Sequence, residues 1–309
     1  MSRNAVHSVS GLCSIVGEEE RMDDPDRDRA GIVESARVEA DGAAAAAGER
    51  GRGVVAINAD DWGCDAHTTN RILECVQGGV VSSVSAMVFM EDSERAADLA
   101  RRHNVDAGLH LNFTTPFTAQ SCPARLVEHQ GRCARFLRAH RLAPMLFHPG
   151  LAASFHSVVQ AQMDEFERIF GHSANRVDGH HHMHLCQNIQ LAKLLPDGIM
   201  VRRNFSFIRG EKSFLNRAYR NRQDRVLARR HSITDLFFAL RPLHPVSRLE
   251  EIFALAGRYA IEVETHPVDA EEFRFLMDGG LKRAMGEAEV AQGYFPRAGS
   301  AASNQEVRP

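Results

Sequence analysis

The sequence has 309 residues, of which 44% are hydrophobic, and it carries a formal net charge of −3. That length suits a single barrel of about 250 residues, and the small net charge gives no indication of a general polyanion-binding protein. No apolar run approaches the roughly 20 residues of a membrane span, and the first residues lack the apolar stretch of a secretory signal. We therefore expect a cytoplasmic protein with no membrane partner.

The beginning of the chain forms a compositional block of its own. Between Glu18 and Arg52 it is rich in Glu, Asp, Arg, Gly and Ala and has almost no large apolar side chains. Such a segment cannot bury enough surface to fold independently, so residues 1–52 are predicted to be a disordered tail. The composition after Gly293 is similar, and a second disordered tail is predicted for residues 291–309.

The first strand signal ends in two adjacent carboxylates. The apolar run from Val54 to Ile57 predicts a buried strand, and Asp60 and Asp61 follow it. Because neighbouring residues of an extended chain point to opposite sides, one carboxylate is expected to bind a metal while the other handles a proton. The pair alone is weak evidence for a catalytic site, because two aspartates after a strand are more often part of a helix cap or a solvated turn.

Helix and strand signals then alternate, as a βα barrel requires. Apolar residues around Ile72 predict a helix that stops at Gly78, and residues 81–89 predict a second strand. From Gly108 to Thr114, apolar and polar residues alternate, which predicts a third strand. Its polar face consists of His110, Asn112 and Thr114.

Four histidines crowd together after the next predicted helix. They are His180, His181, His182 and His184, and they are predicted to lie on a strand. Metal binding is the commonest reason for such crowding. Asp61, His110 and His180 or a neighbouring histidine would supply three ligands from separate strand ends. Three ligands leave positions free for water and substrate, which is typical of a catalytic metal site.

The segment from Arg202 to Arg230 is strongly basic. It contains ten arginine or lysine residues against only Glu211 and Asp224. With the interleaved aromatic residues, this composition makes binding of nucleic acid or a phosphorylated ligand a competing hypothesis. A solvated insertion or a contact within a homo-oligomer explains the arginines equally well.

The last predicted helix and strand bring a further histidine. Ser247 and Glu250 predict a capping box at the start of the helix, and alternation from Ile261 to Thr265 predicts the strand. Proline ends that strand with His266 near its mouth, where an imidazole can titrate near neutral pH. A surface histidine before a turn is an equal alternative.

Four motifs together give the sequence a family resemblance. They are Ile57-Asn58-Ala59-Asp60-Asp61-Trp62-Gly63, Gly108-Leu109-His110-Leu111-Asn112, Asp178-Gly179-His180-His181-His182-Met183-His184 and Glu264-Thr265-His266-Pro267. In order and approximate spacing, the sequence resembles the YdjC-like carbohydrate deacetylase family over residues 53–290. The resemblance implies an α/β fold, a single-domain, distorted TIM-like (β/α) barrel of about seven strands. It also implies removal of acetyl groups from N-acetylated sugars such as chitooligosaccharides.

The resemblance further implies roles for individual residues. Asp61, His110 and His180 would bind one divalent metal ion, Mg²⁺ or Zn²⁺, with Asp60 as the general base and His266 as the general acid. Substrate-binding positions are expected at Trp62, Asn112, His184 and Arg202. The same metal site could hydrolyse a different amide or ester, such as an acetylated lipid-linked sugar, and this donor set does not fix the metal.

Overall fold

The computed structural model describes residues 53–208 and 211–295. The predicted tail 1–52 lies outside the described residues, as do residues 296–309 of the second predicted tail. Within the described ranges, no helix combines the length and the apolar character needed to cross a bilayer.

Strands and helices alternate along the described chain. The strands are β1 (Val54–Trp62), β2 (Ser83–Ala86), β3 (Ala107–Leu111), β4 (Arg176–Gly179), β5 (Met200–Val201), β6 (Leu236–Ala239), β7 (Ile261–Thr265) and β8 (Glu289–Val290). The α-helices are α1 (Ala66–Gln77), α2 (Ser93–His103), α3 (Ala124–Leu137), α4 (Ala152–Phe170), α5 (Gln187–Ala192), α6 (Phe214–Leu227), α7 (Val246–Ala254), α8 (Ala270–Met277) and α9 (Gly280–Met285). Each strand from β1 to β7 is therefore followed by a helix before the next strand begins.

The seven main strands form one parallel sheet in the order β5-β4-β3-β2-β1-β7-β6, and β8 adds a short parallel pairing to β1. The sheet curls, because a parallel bridge joins Met200 of β5 to Ser232, four residues before β6 begins. The fold is therefore an α/β half-barrel related to the TIM barrel, as predicted. In such folds the carboxyl ends of the strands meet on one face, where active sites lie.

The central strand β1 shows why this sequence forms a buried parallel sheet. Val55, Ala56 and Ile57 are fully buried, as expected for a strand covered on both faces. At the end of the turn that follows, Asp65 caps α1 by accepting a hydrogen bond from the backbone N–H of Thr68 at 2.7 Å. This cap fixes the path of the chain directly after the aspartate pair.

Two local predictions were wrong. The histidine cluster does not lie on a strand, since β4 ends at Gly179 and His180–Leu185 form short 3-10 turns interrupted by the left-handed backbone of His181 and His182. Ser247 does not begin a capping box, because α7 starts one residue earlier and its N-cap position is Pro245. Proline at that position has no side-chain oxygen to offer the helix.

The ordered chain continues past residue 290, where the barrel was predicted to end. Ala291 donates a backbone hydrogen bond to the carbonyl of Val55 at 2.9 Å. Tyr294 is buried, and its hydroxyl donates to Glu262 at 2.6 Å. Residues 291–295 therefore pack on the barrel, although their composition resembles that of a tail.

Candidate active site

The aspartate pair lies inside β1, near its carboxyl end. Asp61 has a left-handed backbone, with φ of 69°, and the register between β1 and β2 shifts between Ala59 and Trp62. This irregularity interrupts the alternation of a regular strand. The prediction that the two carboxylates point to opposite sides was therefore wrong. Asp60 and Asp61 both approach Nε2 of His110, at 4.0 and 3.4 Å.

Three buried side chains converge at this face of the barrel from β1, β3 and the turn after β4. Oδ1 of Asp61 lies 3.4 Å from Nε2 of His110 and 2.9 Å from Nδ1 of His180. One donor atom from each of the three lies within 4.8 Å of the others. One carboxylate and two imidazoles form a donor set that fits a divalent metal ion. The structure thus brings the three predicted ligands together.

A buried carboxylate orients the ring of His110. Nδ1 of His110 lies 2.8 Å from Oδ1 of Asp178, whose other oxygen accepts a hydrogen bond from Ser85 at 2.5 Å. With Nδ1 occupied, Nε2 faces Asp61. Such a carboxylate partner fixes the tautomer and direction of a metal-binding histidine, so this contact favours His110 as a ligand through Nε2.

A second group of donors, Asp60, His110 and Asp178, overlaps the first. Arg202 contacts both carboxylates of that group, at 2.6 Å for Asp60 and 2.9 Å for Asp178. A guanidinium already placed between two carboxylates opposes binding of a second cation there. The group of Asp61, His110 and His180 is therefore the better metal candidate.

Arg202 carries the positive charge of this interior and is 1% exposed. Its guanidinium binds Asp60 through two nitrogens, at 2.6 and 2.8 Å. It also reaches Asp178 at 2.9 Å, Glu262 at 2.7 Å and Glu264 at 3.4 Å. Buried charges need such partners to offset the loss of hydration. Against the effect of burial, the positive charge of Arg202 lowers the pKa of Asp60 and of Asp178.

The two aspartates of β1 are ionised at neutral pH for different reasons. Burial alone would raise the pKa of both carboxyl groups. For Asp60, the charges of Arg202 and then His110 outweigh burial and lower the pKa. For Asp61, burial is outweighed by His180 and His110, which hold its pKa well below the usual range. The negative charge of Asp60 is therefore stabilised mainly by Arg202, and that of Asp61 by His180 and His110.

His266 follows β7 at the same face of the barrel. Its backbone N–H donates to Glu272 at 2.7 Å, and the hydroxyl of Thr265 donates to the same oxygen at 2.6 Å. Burial would lower the pKa of the imidazole, but the charges of Asp60 and Asp61, with further acidic neighbours, raise it to about 9. His266 is therefore protonated at neutral pH beside the aspartate pair.

Two histidines of the cluster have strained backbones. His181 and His182 have φ values of 54° and 57°, in the left-handed region that few non-glycine residues adopt. His181 bonds the hydroxyl of Thr114 at 2.9 Å, and His182 lies 3.7 Å from Glu264. This turn leaves His180 directed at Asp61. Backbone strain of this kind concentrates at functional sites.

The four predicted substrate-binding side chains are buried. Trp62, Asn112, His184 and Arg202 are all at most 1% exposed. Trp62 donates to the carbonyl of Ala96 at 3.1 Å, and Nε2 of His184 lies 2.9 Å from the carbonyl of Arg202. Asn112 donates to the carbonyl of Thr115 at 2.7 Å. These contacts favour supporting roles over direct contact with a substrate.

The basic segment is not one continuous cationic surface. Arg202 is buried, Arg203 pairs with Asp224 at 3.0 Å, and Arg230 pairs with Asp197 at 2.5 Å. Part of the positive charge is therefore used inside the protein. This pairing weakens the hypothesis of a nucleic-acid module, which needs cations arranged on one exposed face.

Reasoning from the sequence missed the charge network around the predicted ligands. The roles of Asp178 in orienting His110 and of Arg202 in pairing with Asp60 appear only in three dimensions. One signal was present, because Glu262 and Glu264 alternate with the apolar residues Ile261 and Val263 on a predicted strand. Acidic residues inside a buried strand need a buried cation.

Comparisons with known proteins agree with this architecture. A family model described as YdjC-like protein matches residues 54–290. The carbohydrate deacetylase of Mus musculus is 31% identical over 139 residues, which cover 43% of this chain and 43% of that protein. The chitooligosaccharide deacetylase of Serratia marcescens is 32% identical over 130 residues, which cover 42% of this chain and 49% of that protein. The chain thus spans about half the length of the curated relatives it matches.

A solved structure shares the fold. The crystal structure of an Enterococcus faecalis V583 protein, provisionally named a cellobiose-phosphate cleavage protein, superposes with a TM-score of 0.56 and 17% sequence identity. The match covers 78% of this chain and 97% of that chain. At that identity the likeness concerns the fold alone. The family match, in contrast, includes every strand of the barrel and all five predicted metal and catalytic residues, and the chain belongs to the YdjC-like family.

Proposed function

We propose that this protein is a metal-dependent hydrolase that removes acetyl groups from N-acetylated sugars of the chitooligosaccharide type. The observation that carries the proposal is the convergence of Asp61, His110 and His180 beside Asp60 and His266. The names of the curated relatives support the substrate class. Hydrolysis of an amide needs an activated water, a stabilised oxyanion and a proton for the amine, and the site has groups suited to these needs.

The proposed metal-binding residues are Asp61, His110 and His180. A divalent ion held there would lower the pKa of a water molecule and polarise the acetyl carbonyl. Asp178 would keep Nε2 of His110 directed at the ion, because it occupies Nδ1 at 2.8 Å. The turn through His181 and His182 would keep His180 in place.

Asp60 is the proposed proton acceptor. Its carboxylate is ionised because Arg202 and His110 lower its pKa, and two bonds to Arg202 fix its direction. Its carboxylate lies 4.0 Å from Nε2 of His110, so it is adjacent to the proposed metal-binding residues. An ionised, oriented carboxylate can take the proton of the attacking water.

His266 is the proposed proton donor. The nearby carboxylates raise its pKa to about 9, so the ring carries a proton at neutral pH. The leaving amine of a sugar is too basic to depart as an anion and must be protonated. The bond from the backbone N–H of His266 to Glu272 holds the residue at the strand end where this proton is needed.

The proposal is tested by measuring acetate release from a panel of N-acetylated sugars, with protein first stripped of metal and then loaded with Mg²⁺ or Zn²⁺. We expect release from short chitooligosaccharides, loss of activity after chelation and recovery with one of the two ions. His110→Ala is the matched control and should stay inactive with either ion. Full activity after exhaustive chelation would contradict metal dependence, and absence of acetate with every sugar would contradict the substrate class.

A further inference from the structure

The last described residues close the barrel at the end opposite the candidate active site. β8 pairs with the first two residues of β1, and Ala291 bonds the carbonyl of Val55. The backbone N–H of Tyr294 then donates to Asp106, just before β3, at 2.7 Å. The aromatic ring lies against the guanidinium of Arg176, the first residue of β4, at 4.3 Å. Tyr294 is thus anchored at the amino-terminal ends of the strands.

From this position the tyrosine hydroxyl reaches into the barrel. It donates to Oε2 of Glu262 at 2.6 Å, while Oε1 of the same carboxylate accepts from Nε of Arg202 at 2.7 Å. The two terminal nitrogens of Arg202 hold Asp60 at 2.6 and 2.8 Å. Three consecutive contacts between buried groups therefore join the chain's last described segment to the proposed proton acceptor.

Charge balance explains why Glu262 needs this partner. Arg202 contacts Asp60, Asp178, Glu262 and Glu264, which is one cation shared among four carboxylates. Glu262 is 1% exposed and receives only one bond from that arginine. The hydroxyl of Tyr294 supplies the donor that its second oxygen lacks otherwise. Without that donor, the bond from Nε of Arg202 is the remaining hydrogen bond to the Glu262 carboxylate among the described residues, so the carboxylate and the guanidinium it holds are less constrained.

We infer that Tyr294 is a positioning residue, which acts through Glu262 and Arg202 to fix the direction of the Asp60 carboxylate. Tyr294 touches no reacting atom. Its effect on catalysis passes through the planar guanidinium of Arg202, which binds the Asp60 carboxylate through two nitrogens in a fixed geometry. The inference rests on the proposed deacetylation for its kinetic readout. Its structural readout does not depend on that activity.

The test is Tyr294→Phe in the full-length protein, which keeps the ring over Arg176 and removes only the hydroxyl. We expect kcat to fall about tenfold, the order expected for loss of a hydrogen bond to a charged group. The KM and the metal content should stay close to wild type, and the melting temperature should fall by a few degrees because a buried carboxylate oxygen loses its donor. Tyr259→Phe, a partly buried tyrosine packed on the core elsewhere, is the matched control and should leave kcat unchanged.

A second variant separates positioning from general packing. Glu262→Met removes both carboxylate oxygens and with them the contacts to Tyr294 and Arg202, and its kcat should also fall. If the two residues act in one chain of contacts, the double variant should be no slower than Glu262→Met alone. Independent, multiplying losses in the double variant would overturn the inference, and so would wild-type kcat in Tyr294→Phe.

Nuclear magnetic resonance of arginine side chains gives the readout that is independent of activity. The Nε–H signal of Arg202 is identified by its absence in Arg202→Lys, and it should shift in Tyr294→Phe and stay in place in Tyr259→Phe. If the wild-type protein releases no acetate, the proposed function fails. The Nε–H signal of Arg202 then tests the positioning role of Tyr294 by itself. A signal that does not move in Tyr294→Phe overturns the positioning role, and a shift supports it.

Discussion

The two halves of the sheet contribute different things to the candidate site. The first half, β1 to β4 with the turn that follows, supplies every atom of the candidate metal group: Asp61, His110 and His180. The second half, β5 to β7 with the residues that follow each strand, supplies Arg202, Glu262, Glu264 and His266. One half therefore supplies the candidate ligands for a cation, and the other supplies the charged groups that surround them. Substitutions in the two halves should fail in different ways.

The largest effect is expected in the donor half. His110→Ala and His180→Ala each remove one of three ligands, so bound metal should be lost and acetate release should fall by at least about 1,000-fold. Elemental analysis and an acetate assay measure both quantities. His182→Ala is the matched control, because His182 lies in the same turn but outside the candidate group. If His182→Ala loses metal and His180→Ala keeps it, the ligand assignment within the cluster is wrong.

The next effect tests the charge half through Arg202, the buried cation that Asp60, Asp178, Glu262 and Glu264 share. Arg202→Met leaves Asp60, Asp178 and Glu262 without their main partner, and removing one side of a buried ion pair costs about 3–5 kcal/mol. Denaturant unfolding should show a loss of that size. Arg222→Met makes the same substitution at an exposed position of α6 and should change stability by less than about 0.5 kcal/mol. Equal stability of the two variants would contradict the role of Arg202.

A third experiment compares the two neighbouring aspartates of β1, Asp60 and Asp61. Asp60→Asn removes the proton acceptor but not a proposed ligand, so metal content should persist while activity falls about 100-fold. Asp61→Asn should bind metal weakly, and excess metal should restore part of its rate. The reverse pattern, with Asp60→Asn emptied of metal and rescued by adding it, would exchange the two roles.

The fourth prediction concerns pH and His266. Burial lowers the pKa of this histidine, but Asp60, Asp61 and other carboxylates raise it to about 9. The protonated form that donates is therefore present below about pH 9 and is lost as the pH rises through that value, so kcat/KM should fall there. His266→Gln should lower kcat/KM about 100-fold and abolish this alkaline limb, with metal content unchanged. Persistence of the same limb in His266→Gln would assign it to another group.

The smallest effect is expected where the two halves meet. Asp178 lies on β4, orients His110 and also contacts Arg202. Asp178→Asn should weaken metal affinity by about 10- to 100-fold, the usual cost of losing a carboxylate behind a ligating histidine. Competition with a chelator of known affinity measures this change. Affinity equal to that of the wild-type protein would show that packing alone orients His110.

Much of the fold was predictable because its signals are local. The buried strand around Ile57, the alternation around His110 and the strand before His266 each carry their own periodicity. Helix α4 ends at Phe170 and is followed by Gly171, which has φ of 81° and is the type of residue that commonly ends helices. Motif order and spacing then predicted the family, which the family match confirmed.

What the sequence did not predict depends on contacts between distant strands. The left-handed backbone of Asp61, which turns both carboxylates toward His110, has no local signal because aspartate rarely adopts it inside a strand. The bonds of Arg202 to Asp60 and of Tyr294 to Glu262 join residues separated by 142 and 32 positions. Composition around Tyr294 is typical of a tail, whereas its burial and its hydrogen bonds to Asp106 and Glu262 place it on the barrel.

The pairing of β1 with β7 has a consequence for how the protein is made. Ala59 pairs with Thr265, so one edge of the strand that carries the aspartate pair stays open until about 200 further residues have been translated. At about 5–20 residues per second, that delay is roughly 10–40 s. The donor set is complete once His180 has emerged, well before β7 can cover β1. A nascent chain that captured a metal ion in this interval would hold β1, β3 and β4 together until β7 was translated and could pair with β1.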